Sequence, residues 1–322
     1  MNSYREMVEH VTDIICEHMD DRGAFVLIGD NSSGKSEILR TVIERKIGQV
    51  IYYIDSVNRT FDASKVELFS ETYKDVKLDF HKVLEERISP FNFNLQDTFA
   101  ATSGIEKLYG KYEQSVEKLC EKLLGRSFSI ERECESVANP ENIVKMDGII
   151  ITLSSGYQAL IRIFCEILFF ADCMKTQKLE KGIVVIDEID EYLSPKYSAE
   201  ILNFLQKMFP HIHFIVTTHS RDLVEATEYA TVIVVKDNTF DTYTSASIRD
   251  MVSADEIFTN LFFGDRKLHK SDKDDMDKQL RQWFNNKIAG VWNEKMQKEF
   301  EQIDPEGLKP HQRVIFKQIK EW

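Results

Sequence analysis

The feature that most constrains this chain is the stretch at residues 29–36, which reads G-D-N-S-S-G-K-S. It follows an apolar run at residues 24–28 and precedes a run of helical character at residues 37–43. A Gly-x4-Gly-Lys-Ser sequence between a strand and a helix is typical of a loop that wraps a phosphate group. The glycines allow the tight turn, so that backbone N–H groups and the N-terminus of the helix face the anion. The sequence therefore predicts an α/β fold with a nucleotide phosphate site at this loop.

The chemistry of such loops assigns roles to individual side chains. Lys35 is expected to reach the β- and γ-phosphates, and the Ser36 hydroxyl is expected to ligate Mg²⁺. The predicted cofactors are thus ATP and Mg²⁺. The residues predicted to bind the nucleotide in this segment are Gly29, Asp30, Asn31, Ser32, Ser33, Gly34, Lys35, Ser36 and Glu37.

Two later apolar runs each end in residues that suit phosphate chemistry. Residues 182–188 read as a buried strand that delivers Asp187 and Glu188 to its carboxyl end, where ligands of open α/β sheets bind. We expect Asp187 to hold Mg²⁺, directly or through water, and Glu188 to activate the attacking water as a general base. Residues 213–218 read as another buried strand followed by His219, which is expected to contact the γ-phosphate. Lys35, Glu188 and His219 are the predicted catalytic residues.

A Leu-Ser-Ser-Gly sequence at residues 153–156 opens a strongly apolar helix. Ser154, Ser155 and Gly156 would form a second anion site at the N-terminus of that helix. An ordinary serine N-cap is the alternative. The roles of two further polar residues also have alternatives. Arg59 either contacts the nucleotide or a neighbouring subunit, or forms a surface salt bridge, and Gln96 is a weaker candidate for contact with Mg²⁺ or water.

The net charge, the cysteine pattern and the length of the apolar runs disfavour several classes of protein. With a formal net charge of −13 over 322 residues, broad non-specific binding to nucleic acid or anionic membrane is disfavoured, although a local basic groove is not. The five cysteines are odd in number and form no C-x-x-C pair, which indicates neither a disulfide framework nor a zinc site and favours the cytoplasm. No run of about 18 apolar residues occurs, so no membrane span is expected.

The chain also divides by pattern. Residues 1–22 predict an amphipathic helix, and residues 61–140 predict a mostly helical insertion. Composition changes near residue 265 to dense mixed charge, including the acidic run at residues 272–277, and then to helical spacing. We therefore predict a main domain at residues 1–264 and a small helical C-terminal appendage at residues 265–322.

The order of these motifs resembles that of ABC-type ATPases across residues 23–264. The set comprises a Walker A loop (29–36), a signature-like segment (153–156), a Walker B strand (183–188) and a switch histidine, His219. The Asp-Glu-x4-Leu-x-Pro form of residues 187–195 is more similar to the soluble SMC/RecF/OLD-like branch than to a transporter subunit. The resemblance implies a mainly parallel sheet and a head-to-tail dimer. Each ATP would then lie between the Walker motifs of one subunit and Ser154 and Gly156 of the other.

This chain departs from the family pattern at several points. Ser155 replaces the first glycine of the usual signature, Tyr157 takes the following Gln/Glu position, and Ile189 replaces the usual proline after the catalytic glutamate. A helix replaces the usual antiparallel strands at the start, so the sequence assigns no adenine contact. The long coiled coil of SMC proteins is also missing.

Four functions are compatible with these residues. The first is a switch ATPase that dimerises or oligomerises and controls a separate effector protein, in prokaryotic phage defence or genome maintenance. The second is a repair ATPase that clamps DNA, although the net charge does not favour it. The third is a transporter's nucleotide-binding subunit. The fourth is a scaffold that binds nucleotide without hydrolysis, which the intact Lys35, Asp187 and Glu188 disfavour.

Overall fold

The structure is a computed structural model that describes most of the chain up to residue 250 and separate positions beyond it. The described residues are 3–19, 23–46, 50–57, 59–66, 80–89, 105–132, 142–250, 257–258, 261, 280, 283, 287, 292, 294–303, 305, 308, 313, 316–317 and 319–320. The chain divides into two compact units, Met1–Phe262 and Phe263–Trp322. The assignment of one ATPase domain with a helical insertion remains a prediction.

The first unit is built on a six-stranded sheet. Its strands are β1 (Ala24–Gly29), β2 (Ile51–Ile54), β6 (Gly182–Ile186), β7 (Ile212–Thr217), β8 (Ala230–Lys236) and β9 (Thr239–Thr244), in the spatial order β2-β6-β7-β1-β8-β9. All neighbouring pairs are parallel except β8 and β9. The predicted α/β fold with a mainly parallel sheet and a phosphate-binding loop is confirmed.

Helices cover both faces of this sheet, because its central strands are apolar on both sides. Alternate residues of β1 show the two layers. Phe25 and Leu27 pack in a cluster with α1 (Tyr4–His18) and α2 (Lys35–Lys46), and Val26 and Ile28 pack in a larger cluster on the opposite face. That larger cluster includes residues of α4 (Ile105–Leu124), α5 (Ser155–Thr176) and α6 (Pro195–Met208).

A smaller antiparallel sheet precedes α5. It contains β3 (Phe128–Arg132), β4 (Asn142–Met146) and β5 (Ile149–Ile151). β4 and β5 form a hairpin around Asp147 and Gly148, and both turn residues have positive φ, as a tight hairpin turn requires. The described residues of the 61–140 span contain a short 3-10 helix (Ala63–Lys65), α3 (Phe80–Ile88), α4 and β3, so this span is not purely helical.

The first unit also contains the helices α7 (Arg221–Ala226) and α8 (Ser245–Asp250). The helix α6 begins at Pro195. Proline suits the first position of a helix, where its missing N–H would have no intrahelical partner.

The second unit has its own small core. It contains α9 (Glu294–Glu301), and the buried residues of its apolar cluster are Leu280, Trp283, Phe300, Leu308 and Ile319. Within the described residues of the whole chain, no helix is long and apolar enough to cross a membrane.

Candidate functional site: a phosphate-binding loop facing two carboxylates

The strand order brings the predicted catalytic segments together. β7 lies between β1, which leads into the phosphate-binding loop, and β6, which leads into Asp187 and Glu188. The three strands are parallel, so their carboxyl ends meet at one edge of the sheet. The segments that carry Lys35, Glu188 and His219 therefore start from neighbouring strands.

The phosphate-binding loop has the backbone that its glycines predict. Gly34 has a φ of +107°, and Ser32 is also left-handed, with a φ of +65°. A Cβ at Gly34 would lie 3.0 Å from the ring of Tyr4 in α1, and a Cβ at Gly29 would lie 2.3 Å from the Ser33 Oγ. Larger side chains at either glycine would therefore displace the loop or its neighbours. The sequence did not single out Tyr4 as a neighbour of this loop.

Lys35 is folded back into the loop. Its Nζ donates hydrogen bonds to the carbonyl oxygens of Gly29 at 2.9 Å and Asp30 at 3.1 Å, and the residue is buried. Burial lowers the pKa of this ammonium, and the carboxylates of Asp187, Glu188 and Asp30 oppose that shift. A buried cation held by two neutral carbonyls is ready to exchange them for phosphate oxygens.

Ser36 and Asp187 form a contact between the loop and the Walker B strand. The Ser36 Oγ donates to the Asp187 Oδ2 at 3.2 Å, and Asp187 is buried. The other oxygen, Oδ1, accepts a hydrogen bond from the Thr217 hydroxyl at the end of β7. The Thr217 oxygen in turn accepts from the Glu188 N–H at 2.7 Å. Thr217 was not predicted as a site residue. Its position at the end of a buried strand, two residues before His219, is the feature from which it could have been predicted.

Glu188 and His219 face each other at the mouth of the site. The His219 Nε2 lies 3.8 Å from the Glu188 Oε1, and both side chains are about one third exposed. Burial and the neighbouring Asp187 raise the pKa of Glu188, whereas burial and Lys35 lower the pKa of His219. The backbone of Glu188 is left-handed, with a φ of +52°. Such a conformation is uncommon for a residue with a side chain and recurs at functional sites.

The signature-like segment lies at the start of α5. Ser154 caps this helix, accepting from the Tyr157 N–H at 3.5 Å, so the plain N-cap role is present. Ser154 and Ser155 are exposed. A Cβ at Gly156 would lie 2.8 Å from the Tyr192 carbonyl oxygen, so glycine is required for this close approach to the turn before α6. The role of Ser154, Ser155 and Gly156 toward a second nucleotide remains a prediction.

Arg59 differs from the expected surface salt bridge. It is 2% exposed, and its Nη2 donates to the carbonyl oxygens of Asp187 at 2.8 Å and Glu188 at 3.5 Å. The surface interpretation is wrong because the segment after β2 runs beside the end of β6, where the Asp187 N–H donates to the Ile54 carbonyl. Gln96 and the acidic run at residues 272–277 lie outside the described residues.

A buried ionic cluster behind the Walker B strand was not predicted. Glu166 of α5 accepts from Arg87 at 2.7 Å, from Arg162 at 3.1 Å and from the Tyr52 hydroxyl at 3.0 Å. Arg87 also lies 3.6 Å from Asp55. A signal was present, because Arg162 and Glu166 stand four residues apart inside an otherwise apolar helix, where a buried charge needs a partner.

The residues present fit Mg-ATP. A serine hydroxyl and a carboxylate are the hard oxygen ligands that Mg²⁺ prefers. The Ser33 Oγ is buried and has no hydrogen-bond partner in the described part of the chain, which leaves a donor for a phosphate oxygen. With Ser36 3.2 Å from Asp187, the arrangement can bind a metal–phosphate group and place a carboxylate base next to it.

Comparison with known proteins agrees with this chemistry. Residues 151–225 match the family model described as "AAA domain, putative AbiEii toxin, Type IV TA system". The chain is 41% identical over 68 residues to the Septu protein PtuA of Bacillus mycoides, covering 21% of this chain and 10% of that protein. It is 37% identical over 75 residues to the Retron Vc95 probable ATPase of Vibrio cholerae, covering 22% of this chain and 15% of that protein.

The predicted resemblance to an ATPase is confirmed by the family model and the retron relative. A third relative, the Retron Ec83 probable ATPase of Escherichia coli, is 35% identical over 75 residues, which covers 22% of this chain and 14% of that protein. The aligned segments span only about a tenth to a seventh of the lengths of these three relatives.

Two solved structures align over about two thirds of the chain. One is an Smc head bound to the C-terminal winged-helix domain of ScpA, with 14% identity and a TM-score of 0.34 over 69% of this chain and 90% of that one. The other is an ATP-binding cassette in a dimeric post-hydrolysis state with ADP and Pi, with 16% identity and a TM-score of 0.34 over 69% of this chain and 85% of that one. The fold assignment itself rests on the strand order and the phosphate-binding loop described above.

Proposed function

We propose that this chain binds Mg-ATP at residues 29–36 and hydrolyses it with Glu188 as the general base. The observation that carries the proposal is the meeting of Ser36 and Asp187 at 3.2 Å, with Glu188 and His219 directly beside them. Each of these residues comes from the carboxyl end of a parallel strand or from the helix that follows one.

Each residue of the site has a separate role in the transfer of the γ-phosphoryl group to water. Mg²⁺, when bound, neutralises charge on the β- and γ-phosphate oxygens. Lys35 exchanges its two loop carbonyls for phosphate oxygens, and Ser36 and Asp187 hold the metal. Glu188 orients a water and accepts its proton, while His219 contacts the γ-phosphate. The raised pKa of Glu188 improves its match to this task, since a base works best with a pKa closer to the working pH.

We further propose that two copies close around the nucleotide, as the resemblance implies. The exposed Ser154 and Ser155 at the start of α5, together with Gly156, would contact the ATP bound to the other copy. The N-terminus of a 22-residue helix suits this role, because its free N–H groups attract anions.

The biological role we propose is control of a separate effector protein in cytoplasmic phage defence. The names of the relatives, a Septu protein and ATPases of two retrons, together with the toxin in the description of the family model, support this setting. Closure of the ATP-bound pair would change the surface offered to the effector.

The direct test is phosphate release from Mg-ATP by the purified chain. We expect Glu188→Gln to lower turnover by about a hundredfold or more while ATP binding persists, because only the base is removed. Lys35→Ala should lose binding and turnover together. Glu200→Gln, an exposed change on α6, is the matched control and should behave like the native protein. Native-like turnover by Glu188→Gln would refute Glu188 as the base.

The biological role needs a separate test in cells. A bacterial host carrying the gene with its genomic neighbours should plate phages less efficiently than a host without them. Lys35→Ala should abolish this protection, and Glu200→Gln should retain it. Equal protection by native protein and Lys35→Ala would refute a role for ATP in defence.

A further inference from the structure

The peptide unit that joins Asp187 to Glu188 is held from both sides. Its carbonyl oxygen accepts a hydrogen bond from the Arg59 Nη2 at 2.8 Å, and its N–H donates to the Thr217 Oγ1 at 2.7 Å. The rotation of this peptide sets the direction of the Glu188 side chain. It also fixes the left-handed φ of +52° at Glu188, which is unfavourable without such support.

Arg59 is itself held by α5 through its neighbour in sequence. The Arg162 Nη1 donates to the Thr60 carbonyl at 3.1 Å, and the Arg162 Nε donates to Glu166 at 3.1 Å. Arg162 lies two turns into α5, the helix that begins at the signature-like segment. A shift of α5 would therefore move residues 59 and 60, and with them the donor that holds the Asp187 carbonyl.

The contacts of Arg59 are incomplete in this state. Its Nε and Nη1 are buried and have no hydrogen-bond partner among the described residues, although Asp55, Glu166 and Asp187 lie close enough to stabilise its charge. A buried charged donor without a partner is costly. Because two of its donors have no partner within the described ranges, the hydrogen bond at 2.8 Å from Nη2 to the Asp187 carbonyl is the main link between Arg59 and the Asp187–Glu188 peptide.

We propose that Arg59 is a positioning residue that orients Glu188 and ties this orientation to the position of α5. The proposal rests on the proposed function, because it assigns Glu188 the role of base. When another molecule contacts the start of α5, the resulting shift of this helix would be transmitted to Glu188 through Arg162, Thr60 and Arg59. The side-chain hydrogen bonds of Arg59 go to the backbone carbonyls of Asp187 and Glu188, so we expect its removal to affect turnover and not nucleotide binding.

The first experiment compares turnover in native and Glu188→Gln backgrounds. We expect Arg59→Met to lower kcat by up to about a hundredfold, as misplacement of a catalytic group does, with the Kd for Mg-ATP changed less than about twofold. In Glu188→Gln, where no base remains to be oriented, Arg59→Met should have no further effect. Arg59→Lys, which keeps the charge and one donor nitrogen, should restore part of kcat. Arg45→Gln, on the exposed face of α2, is the arginine control.

The outcomes separate this inference from the proposed function. If Glu188→Gln leaves turnover intact, Glu188 is not the base and the proposed function fails. If Glu188→Gln lowers turnover as expected but Arg59→Met lowers the rate by the same factor in both backgrounds, the function stands and the role of Arg59 is overturned. A loss of ATP binding by a folded Arg59→Met would also overturn it.

A second experiment needs no hydrolysis. Hydrogen–deuterium exchange of the nucleotide-free protein, read by mass spectrometry, reports on the amides of residues 187–191. Arg59→Met should speed their exchange by roughly tenfold, since one hydrogen bond from a charged group is lost. Arg162→Lys, which keeps a charge near Glu166 but has a single donor group, should speed it less. The amides of β8 should be unchanged in both variants. Native exchange at residues 187–191 in Arg59→Met would overturn the positioning role, and native exchange in Arg162→Lys would overturn the link to α5.

Discussion

At the scale of single residues, the site depends on three left-handed backbone positions, of which one is a glycine. Ser32, Gly34 and Glu188 all have positive φ. The left-handed Gly34 was predictable from the motif, because a phosphate loop needs a tight turn at its glycines. The conformation of Glu188 was not, since the sequence shows an acidic residue after a strand and gives no sign of the peptide rotation that Arg59 and Thr217 hold.

Gly34 gives the first prediction at this scale. Gly34→Ala must place a Cβ in a left-handed position and 3.0 Å from the Tyr4 ring, so the loop should lose its phosphate-binding shape. We expect the affinity for Mg-ATP, measured by calorimetric titration, to fall at least about tenfold, which corresponds to the 1–2 kcal/mol of a left-handed alanine.

The control for this prediction is Gly148→Ala. Gly148 also has a positive φ, of +76°, but a Cβ there meets nothing within 4 Å and the residue lies in the β4–β5 hairpin. Gly148→Ala should lower the free energy of unfolding by about 1–2 kcal/mol and leave the affinity for ATP unchanged. ATP affinity in Gly34→Ala within twofold of native would contradict the proposed loop geometry.

At the scale of secondary-structure elements, strands and helices with a clear period were predictable and their tertiary partners were not. The apolar runs at residues 24–28, 182–188 and 213–218 predicted the strands β1, β6 and β7. In contrast, the pairing of Arg87 on α3 with Glu166 on α5 joins residues 79 positions apart. No local pattern encodes that contact, so the sequence left Arg59 open between contact with the nucleotide or a neighbouring subunit and a surface salt bridge. It gave Arg87, Arg162 and Glu166 no role.

The Glu166 cluster gives the prediction at this scale. Burial raises the pKa of Glu166, but Arg87 and Arg162 together with the bonds from Arg87 and Tyr52 outweigh it, so the pKa lies below the ordinary 4.5. A carboxylate with a lowered pKa contributes stability above its unfolded pKa and loses it as the pH falls through its folded pKa. Glu166→Gln, which leaves two buried guanidinium groups without their carboxylate, should lower the free energy of unfolding by about 3 kcal/mol at neutral pH.

Urea unfolding across pH tests this prediction. The difference between native protein and Glu166→Gln should shrink as the pH falls below 4.5, because the native carboxyl then becomes protonated as well. Glu200→Gln, an exposed carboxylate on α6, should cost less than about 0.5 kcal/mol at any pH. A cost for Glu166→Gln that stays constant with pH would show that its charge does not stabilise the fold.

At the scale of the whole molecule, the motifs predict the chemistry of the site but do not predict how this chain assembles with other molecules. Walker A and Walker B are short segments whose neighbours in space follow from a parallel sheet, and the structure brings them to one edge. The role that we propose for Ser154 and Gly156 requires a second molecule, and the structure of a single chain does not contain one. The surface that would bind the proposed effector is likewise not specified by the motifs.

The measurement that tests the central proposal most directly is light-scattering mass after gel filtration. Native protein and Glu188→Gln are compared with and without Mg-ATP, and Lys35→Ala is the control that should not bind ATP. Because removal of the base traps the ATP-bound state, Glu188→Gln should change from the 37.5 kDa of one chain to twice that mass when Mg-ATP is added. Lys35→Ala should stay at the mass of one chain. A Glu188→Gln protein that binds ATP and keeps the mass of one chain would contradict closure of two copies around the nucleotide.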